Sequence, residues 1–198
     1  MPDTTNQHEN QLSDEELVAK ALEDHLYFGH LVRRYESKLL RYICRLISQH
    51  SDEAEDVLQE VFIKAYRNLN DFNPSLKFSS WIYRIAHNEA ISLYRKRKSR
   101  VQEVSIDEVA ELDLGYEVNS VIEELGVEHD AHMIRSIFSQ MDPKYKEVLE
   151  LRFFDGMDYA EISDIIRRPI GTVSAMINRA KKQFKQISQK NSIQFDSI

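Results

Sequence analysis

Residues 158–182, DYAEISDIIRRPIGTVSAMINRAKK, decide the fold of the C-terminal part of the chain. Asp158 and Glu161 have the spacing of a capping box, which predicts the start of a short helix. A turn follows over residues 167–171. Beyond it, apolar residues return every three or four positions and predict a longer helix that buries Ile170, Val173, Ile177, Ala180 and Phe184. A short helix, a tight turn and a longer helix together indicate a helix-turn-helix.

The outer face of the longer helix is polar and basic, as reading of the DNA major groove requires. Asn178 can pair bidentately with adenine and Arg179 with guanine, while Thr172 and the first amides of the helix suit backbone phosphate. We therefore predict duplex-DNA contacts at Arg167, Arg168, Thr172, Ser174, Ala175, Asn178, Arg179 and Lys182. From the spacing alone, a plain helical hairpin with a solvated basic face stays open as the alternative.

Helix signals also precede this segment and recur through the N-terminal half. Asp142 with Pro143 predicts a helix start, and Asp155 with Gly156 predicts the end of that helix. Near the N-terminus, Ser13 and Glu16 form a second capping box. Amphipathic spacing then predicts helices over residues 28–46, 52–69 and 78–94, the middle one capped by Ser51 or Asp52, with a break at residues 70–74.

Composition favours helices and two domains. The 198 residues are 42% hydrophobic and include only five Gly and four Pro. These are too few turn-forming residues for a strand-rich fold. Residues 101–134 contain ten acidic residues and no Lys or Arg. We interpret the first part of this stretch as an acidic, flexible linker. The expected all-α layout has a tail at 1–12, a helical bundle at 13–100, the linker at 101–120, a helix-turn-helix domain at 121–190 and a tail at 191–198.

Cysteine, histidine and apolar patterns restrict the class of protein further. Cys44 is the single cysteine, so no internal disulfide can form, and the seven His are scattered without metal-ligand spacing. The N-terminus is acidic where a signal peptide would be basic and then apolar. No apolar run reaches the roughly 18 residues of a membrane helix. We expect a cytoplasmic protein without membrane insertion, metal or cofactor.

Aromatic and basic residues are interleaved around the break at residues 70–80. Such a mixture suits stacking of unpaired bases while cations hold the phosphates, and the turn has room for one extruded base. The same aromatics also suit a hydrophobic core, which is our interpretation for Trp81 and an equal alternative for Phe72. The candidate single-strand contacts are Phe72, Lys77, Trp81, Arg84, Asn88 and Arg95.

Two groups of motifs are similar to one known family. Residues 52–66, DEAEDVLQEVFIKAY, and 78–88, FSSWIYRIAHN, resemble the second conserved region of extracytoplasmic-function sigma factors. Residues 141–152, MDPKYKEVLELR, with 159–162, YAEI, and 169–181, PIGTVSAMINRAK, resemble the fourth. The resemblance covers the chain from Tyr27 to Ile187, with the two regions in the family's order.

The resemblance implies a dissociable specificity subunit of bacterial RNA polymerase. Its region 2-like helix would dock on core polymerase through Asp56, Gln59, Glu60 and Ile63. Residues 70–80 with Trp81, Arg84 and Asn88 would capture the melted non-template strand of the downstream promoter element, and the last helix would read the duplex upstream element. Acidic residues are favoured at helix starts in general, and this preference explains Asp52 and Glu53 equally well. It explains Gln59 and Glu60 less well, because they lie later in the helix.

The family also implies a role for the linker and a class of inhibitor. In relatives, the acidic linker threads the RNA exit path of the polymerase, and many relatives are held inactive by an anti-sigma factor. A formal charge of −7 should weaken binding of the free chain to random DNA, so we expect promoter recognition to need core polymerase.

The sequence departs from the family's pattern at two places. The turn before the recognition helix has Arg167 and Arg168 where relatives usually have a glycine and an apolar residue. Ser174 and Met176 stand where relatives commonly have basic residues, so no promoter sequence follows from the resemblance.

Two other functions are alternatives. A nuclease would use acids near the start of the third helix as metal ligands, namely Asp52, Glu53, Glu55, Asp56 and Glu60. Successive acids on a helix point in different directions, which disfavours this reading. A conventional helix-turn-helix regulator would need neither the docking residues nor the aromatic basic segment.

Overall fold

A computed structural model of the chain describes residues 12–47, 52–101 and 128–191. Within these ranges the chain is helical and has no strand, which confirms the all-α prediction. The first domain comprises four helices: α1 Asp14–Glu23, α2 Phe28–Ile47, α3 Asp52–Arg67 and α4 Phe78–Val101. The second comprises α5 Glu128–Ser139, α6 Pro143–Phe153, α7 Tyr159–Ile166 and α8 Ile170–Lys190. Most of the predicted linker lies outside the described residues.

Two of the helices, α1 and α7, begin at a capping box. Ser13 Oγ accepts a hydrogen bond from the Glu16 N–H at 3.2 Å, and the Glu16 carboxylate accepts one from the Ser13 N–H at 2.7 Å. Asp158 and Glu161 make the same reciprocal bonds at the start of α7. Both predicted capping boxes are therefore confirmed, and each satisfies amide groups that a helix start leaves unpaired. The predicted cap at Ser51 lies outside the described residues.

The first domain packs α2, α3 and α4 around one apolar core. Leu31, Leu39 and Ile43 of α2 are completely buried, as are Val61 of α3 and Ile82 of α4. A cluster of aromatic rings closes the core beside the break between α3 and α4, where each pair of ring centroids is 5.5–5.7 Å apart; its members are Phe72, Phe78 and Trp81. Phe72 and Trp81 are only 7% and 6% exposed, so both are core residues.

The second domain is held together by the inner face of α8. Val173, Ile177 and Ala180 are completely buried there, as the spacing predicts, and Phe184 is half-buried. The expectation that Ile170 is buried is wrong, because its side chain is 54% exposed. Ile170 is the first residue of α8, and this end of the apolar stripe lies outside the core.

The turn of the helix-turn-helix is shorter than predicted, because α8 begins directly after Pro169. Arg167 ends α7 in the left-handed conformation with φ of 52°. The N–H groups of Arg167 and Arg168 both donate to the Ser163 carbonyl, and Ser163 Oγ donates to the Arg168 carbonyl at 2.6 Å. The turn therefore forms without the family's usual glycine, although a non-glycine residue in this conformation is strained.

Candidate nucleic-acid interface

Most of the predicted DNA-contacting residues on and before the outer face of α8 are exposed to solvent. Ser174 is half-buried, whereas the other predicted contacts on this face are exposed: Arg167, Arg168, Thr172, Ala175, Asn178, Arg179 and Lys182. The helix contains five basic residues and no acid. No side chain among the described residues caps its N-terminus, which leaves the leading amide groups able to bind an anion. This face has the shape and charge that major-groove reading requires.

A second exposed surface runs along α3. Asp56, Gln59 and Ile63 are exposed, and Glu60 is half-buried and pairs with Lys64 at 3.6 Å. Their spacing of three and four positions places them in one stripe. Ile63, whose side chain is 43% exposed, adds an apolar group to this otherwise polar stripe.

Tyr66 extends this stripe. Its side chain is 49% exposed, and its ring contacts Phe28 edge-on with the ring centroids 5.3 Å apart. Exposed tyrosines are enriched in protein interfaces because the ring buries a large area at a low entropic cost. The signal was present in the sequence, since Tyr66 follows Ile63 by three positions.

The predicted single-strand contacts fall into two groups. Lys77, Asn88 and Arg95 are exposed, and Arg84 is half-buried. Asn88 and Arg95 line a shallow polar pocket on α4 together with His87 and Ser92. The rings of Phe72 and Trp81 instead pack in the buried aromatic cluster. They support the α4 surface from the core and do not face solvent.

Part of this α4 surface is covered by α7 of the second domain. Lys77 Nζ lies 3.1 Å from Asp158 Oδ2 and 3.2 Å from Glu161 Oε2. Ser79 Oγ donates to Glu161 Oε1 at 2.7 Å, and Arg84 pairs with Asp164. The hydrogen bonds from Lys77 to Asp158 and Glu161 raise the pKa of the lysine. The two domains therefore meet through ion pairs.

A buried charge cluster forms a second part of the domain contact. The Arg45 guanidinium is 2.5 Å from Asp155 Oδ2 and 3.8 Å from Glu150 Oε2, and all three side chains are at most 7% exposed. Tyr83 OH donates to Asp155 at 3.0 Å. Burial raises the pKa of Glu150 to about 7 and also raises the pKa of Asp155, against the opposing effect of Arg45. Removing one partner from such a cluster typically costs about 3–5 kcal/mol.

A third contact lies beside this cluster. His87 Nδ1 is 2.8 Å from Glu147 Oε1, and Tyr42 OH donates to the same carboxylate oxygen at 3.1 Å. Tyr42 and His87 belong to the first domain and Glu147 to the second. Burial is the main reason that the pKa of Tyr42 is well above its ordinary value, and Glu147 adds to the effect. The sequence offers no signal for these pairs, because each joins residues that are far apart in the chain.

Within residues 12–47, 52–101 and 128–191, no three His, Cys, Asp or Glu side chains converge as metal ligands. Among the same residues, no helix is both long enough and apolar enough to cross a bilayer.

Comparisons with known proteins match both domains. A family model described as Sigma-70 region 2 matches residues 31–100, and one described as Sigma-70, region 4 matches residues 131–184. The RNA polymerase sigma-H factor of Pseudomonas aeruginosa PAO1 is 34% identical over 187 residues, which cover 90% of this chain and 95% of that protein. The ECF RNA polymerase sigma factor SigW of Bacillus subtilis 168 is 30% identical over 167 residues, which cover 80% and 87%.

Two solved structures share the fold. CnrH in complex with the cytosolic domain of CnrY superimposes with a TM-score of 0.63 at 23% identity, covering 93% of this chain and 99% of that one. The sigma factor RpoE in complex with the anti-sigma factor NepR from Bartonella quintana gives a TM-score of 0.63 at 24% identity, covering 82% and 96%. With both conserved regions in order and a 34% identical relative over nearly the full length, the chain belongs to the extracytoplasmic-function RNA polymerase sigma factors of the sigma-70 family.

Proposed function

We propose that this sigma factor docks on core RNA polymerase through α3, reads duplex promoter DNA with α8 and captures the melted non-template strand on α4. The observation that carries the proposal is the physical separation of three surfaces. α3 presents a mixed acidic and apolar stripe, α8 presents a basic polar face, and α4 presents cations above an aromatic core. A conventional regulator has a use for the α8 face only.

The docking stripe suits a protein partner better than nucleic acid. Asp56 and Glu60 would repel phosphate, whereas a basic or amphipathic helix of a partner could pair with them and bury Ile63. The stripe spans about two turns of α3, so a partner helix could contact all of its residues at once. We assign polymerase docking to Asp56, Gln59, Glu60 and Ile63, and add Tyr66 at its end.

The two DNA surfaces suit different forms of DNA. On α8, Asn178 and Arg179 can pair with base edges in a major groove, and Arg167, Arg168, Thr172 and Lys182 can hold the flanking phosphates. On α4, Lys77, Arg84, Asn88 and Arg95 can follow the backbone of a single strand. Phe72 and Trp81 would support this strand site from the core in the present arrangement, and would stack on bases only after their surroundings opened.

An anti-sigma factor is a further partner that we propose from the family relationship. The RpoE structure with the same fold is a complex with an anti-sigma factor. Such a protein would compete with core polymerase if it covered the α3 stripe. Cytoplasmic location follows from this proposal, because polymerase and promoter are both there.

Transcription by the purified full chain with core polymerase tests the proposal. We expect promoter-directed transcripts only when both are present. Gln59→Ala and Glu60→Ala should each lower transcript yield by weakening docking. Glu36→Ala is the matched control, because Glu36 is an exposed acid on α2, outside the stripe.

Further variants separate docking from DNA reading. Asn178→Ala and Arg179→Ala should leave polymerase binding unchanged in a pull-down and reduce transcripts, since each lost base contact is worth about 1–3 kcal/mol. Transcripts that are unaffected by Gln59→Ala and Glu60→Ala would contradict the docking assignment. Tight, sequence-specific duplex binding by the chain without polymerase would favour a conventional regulator.

A further inference from the structure

An apolar pocket of about 320 Å³ lies in the second domain between α5, α6 and α8. It is lined by four phenylalanines, two aliphatic residues and one lysine: Ile134, Phe138, Leu149, Phe153, Phe154, Lys181 and Phe184. None of these residues is among the DNA contacts proposed above. Phe153 is 59% exposed, so the pocket leaves a large aromatic ring in water.

The lining suits an aromatic side chain of a protein segment better than a small molecule. Sites for small molecules usually place a few polar groups that fix the orientation of the ligand. Among the seven lining residues, only Lys181 has a polar side chain, and its Nζ lies over the Phe153 ring, 5.5 Å from the ring centroid. The Phe138 ring centroid is 5.7 Å from that of Phe154 and 5.8 Å from that of Phe184. A further ring could join this cluster with favourable geometry.

The segment that follows α8 has a composition that matches the pocket. Residues 192–198, SIQFDSI, lie outside the described residues. They include three large apolar residues: Ile193, Phe195 and Ile198. A segment that stays solvated is typically poor in such residues. Asp196 is the single charged residue of the segment, follows Phe195 directly and has the opposite charge to Lys181.

The segment is also long enough to return to the pocket. α8 ends at Lys190, and Ser188 is only 7% exposed, so the last turn of the helix still lies against the second domain. Phe184 lies about 10 Å before Asn191 along the helix axis, at 1.5 Å for each residue. An extended chain from Asn191 to Phe195 spans about 13 Å. A reversal of the chain at Asn191 therefore brings Phe195 level with Phe184.

We propose that the pocket is a docking site for residues 192–198 of the same chain, with the Phe195 ring inserted among the four phenylalanines and Asp196 beside Lys181. The docked segment covers the exposed part of Phe153 and stabilises the second domain. Another protein that used the pocket would have to displace it. The proposal goes beyond the proposed function, because it concerns a surface that has no part in docking on α3 or in DNA binding.

A tryptophan in place of Phe195 reports whether this position is buried. The chain has one tryptophan, Trp81, so full-length variants are made with Trp81→Phe. Gln194→Trp is the matched control, because neighbouring residues of an extended segment point to opposite sides. We expect acrylamide to quench Phe195→Trp at least about threefold less efficiently than Gln194→Trp, since a pocket of this kind buries most of the group that it holds.

A substitution in the pocket links this shielding to the pocket itself. Phe153 is already largely exposed, so Phe153→Asp leaves the buried core intact. It should raise the quenching of Phe195→Trp to that of Gln194→Trp. Ile170→Asp is the control and should leave the quenching unchanged, because Ile170 is an exposed apolar residue of the same domain outside the pocket.

Thermal unfolding of the full-length chain tests the contact without a tryptophan. Phe195→Ala should lower the unfolding midpoint by at least about 2 °C relative to Gln194→Ala, because it removes the ring that fills the pocket. Equal midpoints of these two variants would overturn the proposal.

The quenching experiment has further outcomes that contradict the proposal. Equal quenching at positions 194 and 195 means that the segment is not docked, and shielding that survives Phe153→Asp means that it is docked elsewhere. Shielding that disappears on dilution assigns the pocket to the segment of a second copy. None of these measurements involves polymerase, so the proposed function is tested separately by promoter-directed transcription.

Discussion

At the scale of single residues, the turn of the helix-turn-helix shows how a strained position can be maintained. Arg167 adopts a left-handed conformation that costs an ordinary residue about 1–2 kcal/mol. The cost is offset by the backbone and Ser163 bonds that close the turn. An arginine here adds a cation next to the recognition helix, which a glycine could not do.

Arg167→Gly should therefore stabilise the chain by about 1 kcal/mol, because glycine adopts this conformation without strain. Equilibrium unfolding in urea measures the change. Arg168→Gly is the control, since Arg168 does not have a positive φ and gains nothing from glycine. An equal loss of stability in both variants would contradict the prediction.

At the scale of elements, α8 combines a face that packs in the core with the opposite face that we propose reads DNA. Its inner face supplies much of the core of the second domain, and its outer face carries the predicted base contacts. The packing of the inner face fixes the direction in which Asn178 and Arg179 point. Changes on the two faces should therefore have separable effects on stability and on DNA binding.

Ile177→Ala should destabilise the second domain by about 2–5 kcal/mol, because Ile177 is completely buried and the substitution leaves a cavity. Ile170→Ala makes the same chemical change on the same helix at a side chain that is 54% exposed. It should change stability by no more than about 0.5 kcal/mol. Thermal unfolding of the two variants makes the comparison, and similar losses would refute this account of the core.

Local signals predicted most elements and missed the contacts between domains. Both capping boxes depend on residues three positions apart, so the sequence displays them directly. The apolar stripe predicted Val173 and Ile177 correctly but failed at Ile170, because periodicity alone does not show where a helix enters the core. The ion pair of Arg45 and Asp155 joins residues 110 positions apart, and the periodicity of a sequence cannot predict a contact between such distant residues.

At the scale of the whole molecule, the two domains are held by charges of unequal burial. Lys77 and Asp158 are about half-exposed, so salt screens their attraction and each pair contributes little. The Arg45 cluster is excluded from water and is screened much less. Opening of the domains must hydrate Arg45, Asp155 and Glu150 together, which makes closure sensitive to the protonation of the two carboxyl groups.

Closure should weaken as the pH rises toward 7. Burial raises the pKa of Glu150 to about 7 from an ordinary value of 4.5, despite Arg45 and Lys146 nearby, and Asp155 shifts in the same direction. Between these values the closed chain holds a proton that an open chain releases. Protonation thus favours closure fully below about 4.5, and the contribution is lost as the pH passes through about 7.

The distance between spin labels at Arg67→Cys and Lys185→Cys, recorded from pH 5 to pH 8, measures this dependence. Glu150→Gln, which keeps the shape and cannot ionise, should flatten the profile. A profile that is equally steep in Glu150→Gln and in the unsubstituted chain would assign the pH dependence to other groups.

The exposure of α8 beside a covered α4 implies an order in time. If α8 reads duplex DNA and α4 holds the melted strand, as we propose, a chain in which α8 is exposed and α4 is partly covered can engage intact DNA before it can hold melted DNA. Recognition of the upstream element would come first, and the downstream strand would be captured later. The different exposure of α4 and α8 would then prevent capture of the single strand before the promoter has been recognised.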